Sequence, residues 1–178
     1  PYDPDKARFH WKRAGYDGPL VLSGADAGFS GAVDAAQLFQ KSASQAGIPL
    51  QVERVPSDGY WSSVWLKKPF VASNWATRPV ADAILSLVFA SGAPWNETHF
   101  HDEKLDGLIL AARAETDEAK RKALYRDVQV LIAENGSEII PIRGAGLEGV
   151  RKNVGGYAPV PGTPLCGHRV AEKVWLES

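Results

Sequence analysis

Apolar residues recur along the chain in two rhythms. Residues 48–55 (IPLQVERV) alternate apolar with polar positions, which predicts a half-buried strand. Residues 31–46 carry Val33, Ala36, Gln37, Leu38 and Phe39 across successive turns of a predicted helix, with Gly47 to end it. The short apolar run PLVLS at 19–23 predicts another strand, joined to that helix by a Gly-rich turn, GADAGFSG. Strand, helix and strand in succession predict a βαβ unit with parallel strands and a right-handed crossover. Ahead of it, residues 3–14 read as a helix: Asp3 caps it, Pro4 suits its first turn, and Gly15 suits the left-handed position past its end.

Further along, residues 57–66 place Tyr60, Trp61, Val64 and Trp65 at helical spacing, so these aromatics are expected to pack inward. Residues 69–75 (PFVASNW) predict a further strand. Pro79 opens a helix expected to reach about Ala90, and SGAPWN marks a loop. Two more helices follow, at 102–115 and 117–134. The second is the longest, with Leu124, Val128, Leu131 and Ile132 as its apolar face and Gly136 as its stop. EIIPI at 138–142 predicts a strand, 144–164 an irregular Gly- and Pro-rich stretch, and 170–176 a last strand-like piece. The order is that of an α/β protein with helices layered on a sheet.

Composition narrows the class. The chain has 178 residues, 44% of them hydrophobic and 23% charged, which fits one ordinary globular domain. A net charge of -1 argues against a nucleic-acid partner, which would call for a basic stripe. No apolar run approaches the roughly 18 residues that cross a bilayer. The single Cys166 excludes an intramolecular disulfide. A start at Pro1 and the absence of Met lead us to expect a processed chain or a piece of a longer one.

Several constellations invite a chemical reading. The turn from Gly24 through Gly28 to Gly31 lies between strand and helix, where a dinucleotide fold places its phosphate-binding glycines. Glu53 falls near the place of a ribose-binding acid. The spacing, Gly-x3-Gly-x2-Gly, matches neither GxGxxG nor a P-loop, and no Tyr-x3-Lys pair supplies hydride chemistry. A nucleotide-dependent α/β enzyme is therefore the competing reading, with a flexible connection as the plainer account of the turn. His99 and His101, on an extended segment, would point to one side and could share a metal with Asp102, although Asp102 also reads as a helix N-cap. Ser30 lacks a nucleophile elbow, and Cys166 with His168 lacks an orienting acid. Asn96-Glu97-Thr98 fits the glycosylation acceptor pattern.

The order of several stretches resembles the second, C-terminal lobe of the family 5 extracellular solute-binding proteins, the dipeptide- and oligopeptide-binding components of bacterial ABC importers. YDPDKARFHWKRAGYDG, LFQKSASQAGIPLQVE, and the long segment from SGAPWNETHFHDEKLDG through AETDEAKRKALYRDVQVLI to EIIPI carry the likeness across nearly the whole chain. It implies an α/β, periplasmic-binding-protein type II-like lobe with a mixed sheet flanked by helices. A preceding first lobe would be missing, and residues 165–178 resemble the tail that returns to it. It further implies a non-catalytic receptor without cofactor or resident metal, periplasmic or extracellular and membrane-associated. Such a receptor closes two lobes around a peptide or small-molecule solute and presents it to an ABC permease in the inner membrane.

Ligand contacts in that family cluster after a strand ending in Trp, which here is PFVASNW. Asn74, Trp75, Thr77 and Arg78 occupy the matching place, and Trp95 and Asn96 of the following loop are further candidates. Peptide binders of the family often carry an Asp three residues past this Trp; Arg78 stands there instead. A guanidinium repels a peptide amino terminus and favours a carboxylate or phosphate, although a salt bridge would also account for it. Asp82 lies one helical turn further on, with its facing open. His99 and His101 leave a haem- or metal-complex receptor of the same family as a third reading.

Overall fold

The computed structural model describes residues 2–136, 138–144 and 146–177. Position 178 of the predicted tail, with positions 1, 137 and 145, lies outside the described residues. The chain divides into two compact units, the first ending at Trp75 and the second beginning at Ala76.

The first unit is built as the sequence pattern predicts. α1 (Pro4–Ala14) begins where the Asp3 carboxylate accepts the Lys6 amide at 2.9 Å and stops at Gly15, whose φ of 67° is left-handed. β1 (Leu20–Gly24), α2 (Ala32–Gln45) and β2 (Leu50–Arg54) form the βαβ unit, with β1 and β2 parallel and Leu22 opposite Val52. Residues 70–72 run parallel along the other side of β1. The Ser23 amide donates to the Phe70 carbonyl at 3.0 Å, and the Ala72 amide to the Ser23 carbonyl at 2.9 Å. β1 is thus paired on both sides, which explains why Leu22, Ser23 and Gly24 are all buried. Leu22, Ala36 and Leu50 pack between sheet and α2, with Phe39 and Phe70 edge-to-face beside them.

The aromatic stretch differs from expectation. Only α3 (Tyr60–Ser63) is helical, and its aromatics divide. Tyr60 and Val64 pack against Ala25, whereas Trp61 faces outward. Four residues make a single turn, and one turn cannot bury a stripe on every side.

In the second unit, α4 (Ala81–Ile84) continues directly as a π-helical turn, Leu85–Phe89. α5 (Glu103–Ala114) and α6 (Glu118–Asn135) are capped by Asp102 and Asp117, each accepting an amide three residues on at 2.8 Å. Leu105, Ile109, Val128, Leu131 and Ile132 interlock with Leu85 to form the core of this unit. α6 ends at Gly136, whose backbone turns extended with a ψ of 158°, and a Cβ at that position would clash with the Ile132 carbonyl.

Two strand expectations fail. Residues 138–142 form no strand: among the described residues no segment pairs with them, and Ile139, Ile140 and Ile142 are exposed. A short apolar run remains irregular when nothing accepts its backbone hydrogen bonds. Residues 170–176 split into a helical turn, α8 (Val170–Lys173), and β4 (Trp175–Leu176). The turn is reinforced by Arg169 and Glu172, 2.6 Å apart. β4 pairs antiparallel with β3 (Val154–Gly155), and one more turn, α7 (Pro164–His168), precedes α8. The parallel and antiparallel pairs therefore lie in separate sheets. No helix of the described residues is long and apolar enough to cross a membrane.

Candidate functional site

Two parallel strands and the stretch 70–72 bring three connections to one edge of the first unit. That stretch joins β1 through a single bridge at Val71, where the sequence predicts a strand over 69–75, and serves as a short third strand. After β1 comes the Gly-rich turn, after β2 comes α3, and after residues 70–72 come Asn74 and Trp75. The carboxyl edge of a parallel sheet is where open α/β folds bind ligands, because the connections there diverge and leave room.

The Gly-rich turn is closed on itself and held down. The Gly28 amide donates to the Ala25 carbonyl at 2.9 Å, and the Ala32 amide to the Phe29 carbonyl at 3.0 Å. The Asn74 side-chain amide donates to the Gly28 carbonyl. Asn74, a predicted ligand contact, thus fastens the turn to the end of the third strand. Glu53, the would-be ribose acid, is already engaged. Lys68 Nζ and Ser23 Oγ both donate to its Oε2 at 2.5 Å and hold the carboxyl below its usual range. Packing therefore accounts for the glycines and for Glu53 without a nucleotide.

Trp75 is half-buried and joins a file of rings. Its centroid is 6.2 Å from that of Trp65, Trp65 is 5.7 Å from Trp61, and Trp61 is 5.4 Å from Tyr60, every pair edge-to-face. Tyr60 is buried and donates its hydroxyl to the Ala72 carbonyl at 2.5 Å, which fixes the inner end of the file. Spacing alone could not reveal this file, because Trp61 and Trp65 come from one connection and Trp75 from another.

The second unit carries the remaining candidates. Arg78 is half-buried and donates from Nη1 to the Ala76 carbonyl at 3.0 Å. None of the ion pairs among the described residues includes it. Thr77 is exposed and abuts Gly162, where a Cβ would come within 2.6 Å of the threonine methyl. Asp82 faces Arg113, whose Nε lies 3.0 and 3.1 Å from its two oxygens, while Ser86 bonds to both. Asp82 therefore ties α4 to α5.

Asn96 is a loop-builder. It is only 6% exposed, its Nδ2 donates to the Phe100 carbonyl at 2.8 Å, and its Oδ1 accepts from Thr98 at 3.2 Å. Burial closes it to a ligand or a glycan and leaves it to hold the loop that carries Trp95, which is 40% exposed. The histidine reading loses its geometry. His99 has a φ of 53°, which breaks the extended run that would align it with His101, and Asp102 is spent as an N-cap. Among the described residues no group of three or more His, Cys, Asp or Glu could hold a metal. Cys166 is free and buried. Two surface hollows, of about 380 and 340 Å³, lie over α2 and between α5 and α6, and of the candidate residues only Asp102 lines either of them.

Comparison with known proteins places this arrangement. No family model matches the chain. The glutathione-binding protein GsiB of Pectobacterium atrosepticum is 29% identical over 141 residues, spanning 72% of this chain and 27% of GsiB. The oligopeptide-binding protein AppA of Bacillus subtilis, solved with a nonapeptide, superposes with a TM-score of 0.69 at 16% identity, over 99% of this chain and 38% of AppA. The ABC transporter-associated periplasmic binding protein DppA of Helicobacter pylori, solved with the peptide STSA, gives 0.62 at 22% identity, over 76% of this chain and 28% of DppA. The chain has the periplasmic-binding-protein type II fold. Likeness in sequence to GsiB, and in fold to AppA and DppA, agrees with the resemblance to the family 5 extracellular solute-binding proteins. It spans between about a quarter and two fifths of the length of these three relatives.

Proposed function

We propose that the chain is the second lobe of the substrate-binding component of a periplasmic ABC importer, and that it takes the anionic group of a peptide or related small polar solute. Arg78 carries this reading. A half-buried guanidinium that, among the described residues, donates to one backbone carbonyl and makes no ion pair keeps most of its donor fork for another partner. A ligand carboxylate fits that fork bidentately, whereas a peptide amino terminus would meet repulsion. Trp75, Asn74 and Thr77 flank it in sequence, and Trp95 supplies a further exposed ring. Capture would be completed by a first lobe closing over the ligand, and delivery by a permease in the inner membrane. Chemistry on the ligand has no part in this scheme, in keeping with relatives that are binding proteins by name.

The test is a nuclear magnetic resonance titration of the chain with trialanine and with its carboxamide, following the Arg78 Nε–H signal. Trialanine should shift that signal at millimolar concentration, the range of a half-site, and the amide should not. An equal response to both peptides would overturn the role of Arg78.

A further inference from the structure

α7 (Pro164–His168) is a turn of unusual hand. Leu165 stands at φ 53° and ψ 53°, Cys166 at 58° and 36°, Gly167 at 74° and 38°, and His168 at a φ of 62°. One left-handed residue past a helix end is common, but four in a row make a left-handed helical turn. Leu165, Cys166 and His168 each carry a Cβ that this conformation crowds against the following carbonyl. The flanking sequence favours the opposite hand. Thr163 followed by Pro164 is the start signal of a right-handed helix, yet the Thr163 side chain caps nothing. α8 resumes as an ordinary helical turn at Val170. We infer that residues 164–173 form a two-state segment, held left-handed by Glu148 and released into a right-handed helix when that hold is lost.

Backbone strain of this kind persists only where the surroundings fix it, and two anchors do so here. Glu148 Oε1 accepts the amide of Leu165, the first left-handed residue, at 2.6 Å, while its Oε2 accepts the Tyr157 hydroxyl. These two donors hold the Glu148 carboxyl below its usual range. At the far end Trp175 pairs with Gly155, and the Glu177 amide donates to the Asn153 carbonyl at 2.8 Å. Between the anchors the Arg169 amide closes the turn on the Leu165 carbonyl at 3.0 Å, and Cys166 is enclosed. The released state has an acceptor ready. In a right-handed helix begun at Pro164, Leu165 is the second residue, so the Thr163 hydroxyl takes the amide that Glu148 gives up. Reversing the hand of one turn re-aims the chain beyond it, so the latch sets the direction of residues 170–177. The switch is independent of what the chain binds.

Cys166, the single cysteine of the chain and 1% exposed, reports the release. Its reaction with dithiobis(nitrobenzoate) is followed at fixed pH without denaturant, where the rate tracks the population of the open form. Glu148→Ala should speed the reaction about tenfold, and Tyr157→Phe, which leaves Glu148 its bond to Leu165, should speed it less. The HN–Hα couplings of Leu165, Cys166 and His168, larger in the left-handed conformation, should fall in Glu148→Ala. Two further variants act on the hand alone. His168→Gly removes a crowded Cβ and weakens the right-handed helix, so it should slow the reaction about tenfold. Gly167→Ala should speed it, although the added methyl meets Val160 only at an ordinary contact distance of 3.5 Å. A Glu148→Ala rate equal to that of the parent overturns the latch. A His168→Gly protein that reacts as fast as the parent overturns the strained turn. Combining Glu148→Ala with His168→Gly should bring the rate back close to the parent's. A double variant as fast as Glu148→Ala alone would mean general unfolding, and the two-state segment would be refuted.

Discussion

Gly28 and Ala72 approach backbone to backbone: a Cβ on Gly28 would stand 2.7 Å from the Ala72 carbonyl oxygen and 3.2 Å from that of Ala25. This closeness lets the turn after β1 lie against the end of the third strand, where Asn74 fastens it. Gly28→Ala should therefore push the two connections apart, at a cost of about 1–3 kcal/mol. Calorimetry should show the midpoint falling by about 2–4 °C for each kcal/mol in a chain of this size. Gly92→Ala, where the added methyl meets nothing within 4 Å, is the control and should leave the midpoint nearly unchanged. Equal midpoints for the two variants would refute the packing account.

Asn96 offers a second test of what holds a loop. Its side chain is buried, and its amide satisfies the Phe100 carbonyl at 2.8 Å. Asn96→Ala strands that carbonyl and should cost about 1–3 kcal/mol. Asn96→Asp removes the donor and places a charge in a buried position, so it should cost at least as much. Chemical denaturation of the three proteins gives the order directly. A neutral Asn96→Ala would free this residue for a ligand role.

The first unit was legible because its signals are local. A carboxylate before Pro4, glycines at positions 15 and 47, and an alternating run at 50–54 each act within a few residues, and the pairing of β1 with β2 follows from their order. Three features needed the fold. The period of apolar residues at 81–89 cannot distinguish an α turn from the π turn at Leu85–Phe89. The run at 138–142 has the β-branched, apolar character of a strand, but a strand also depends on a partner, which no sequence window contains. Trp61 shares the spacing of Tyr60 and Val64, yet a single turn at α3 buries one side only. The candidate site was legible unevenly for the same reason. Family likeness pointed to Trp75 and Arg78, while the ring file and the roles of Asn74, Asn96 and Asp82 depend on contacts between distant segments.

Glu138 sets a pH dependence. Its Oε2 is buried and has no hydrogen-bond partner among the described residues. Burial, and then the charge of Glu97, push its carboxyl up from 4.5 to about 7. Between those values the folded chain keeps a proton that the unfolded chain has lost. Stability from this group therefore falls as pH rises through the window and levels off above about 7. Partial solvent screening limits the effect to about 1 kcal/mol. Glu138→Gln should abolish the decline and make the variant more stable than the parent near pH 8, by about the same amount. Urea midpoints at about pH 5 and pH 8 check this, and parallel pH profiles for the two proteins would contradict it.

Arg78 and Arg113 are two arginines of the second unit with opposite surroundings. Arg113 is bracketed by both oxygens of Asp82 and by Ser86, so its fork is filled from within the chain. Arg78 has the Ala76 carbonyl and, among the described residues, no ion-pair partner. Removing each should then move different observables. Asp82→Ala leaves Arg113 without its counter-charge and should lower stability by up to about 1 kcal/mol, since the pair is partly exposed, with trialanine binding untouched. Arg78→Ala should do the reverse. Stability should stay within about 0.5 kcal/mol, while affinity for a carboxylate peptide should fall more than about tenfold, as expected when a charge-assisted bidentate contact is lost. Arg78→Lys, which keeps the charge and loses the fork, should fall between the two. Raising the salt concentration should weaken peptide binding to the parent chain and have little effect on what remains in Arg78→Ala. If Arg78→Ala instead lowered stability as much as Asp82→Ala and bound trialanine normally, Arg78 would be a structural residue and the anion-binding role would pass to another donor.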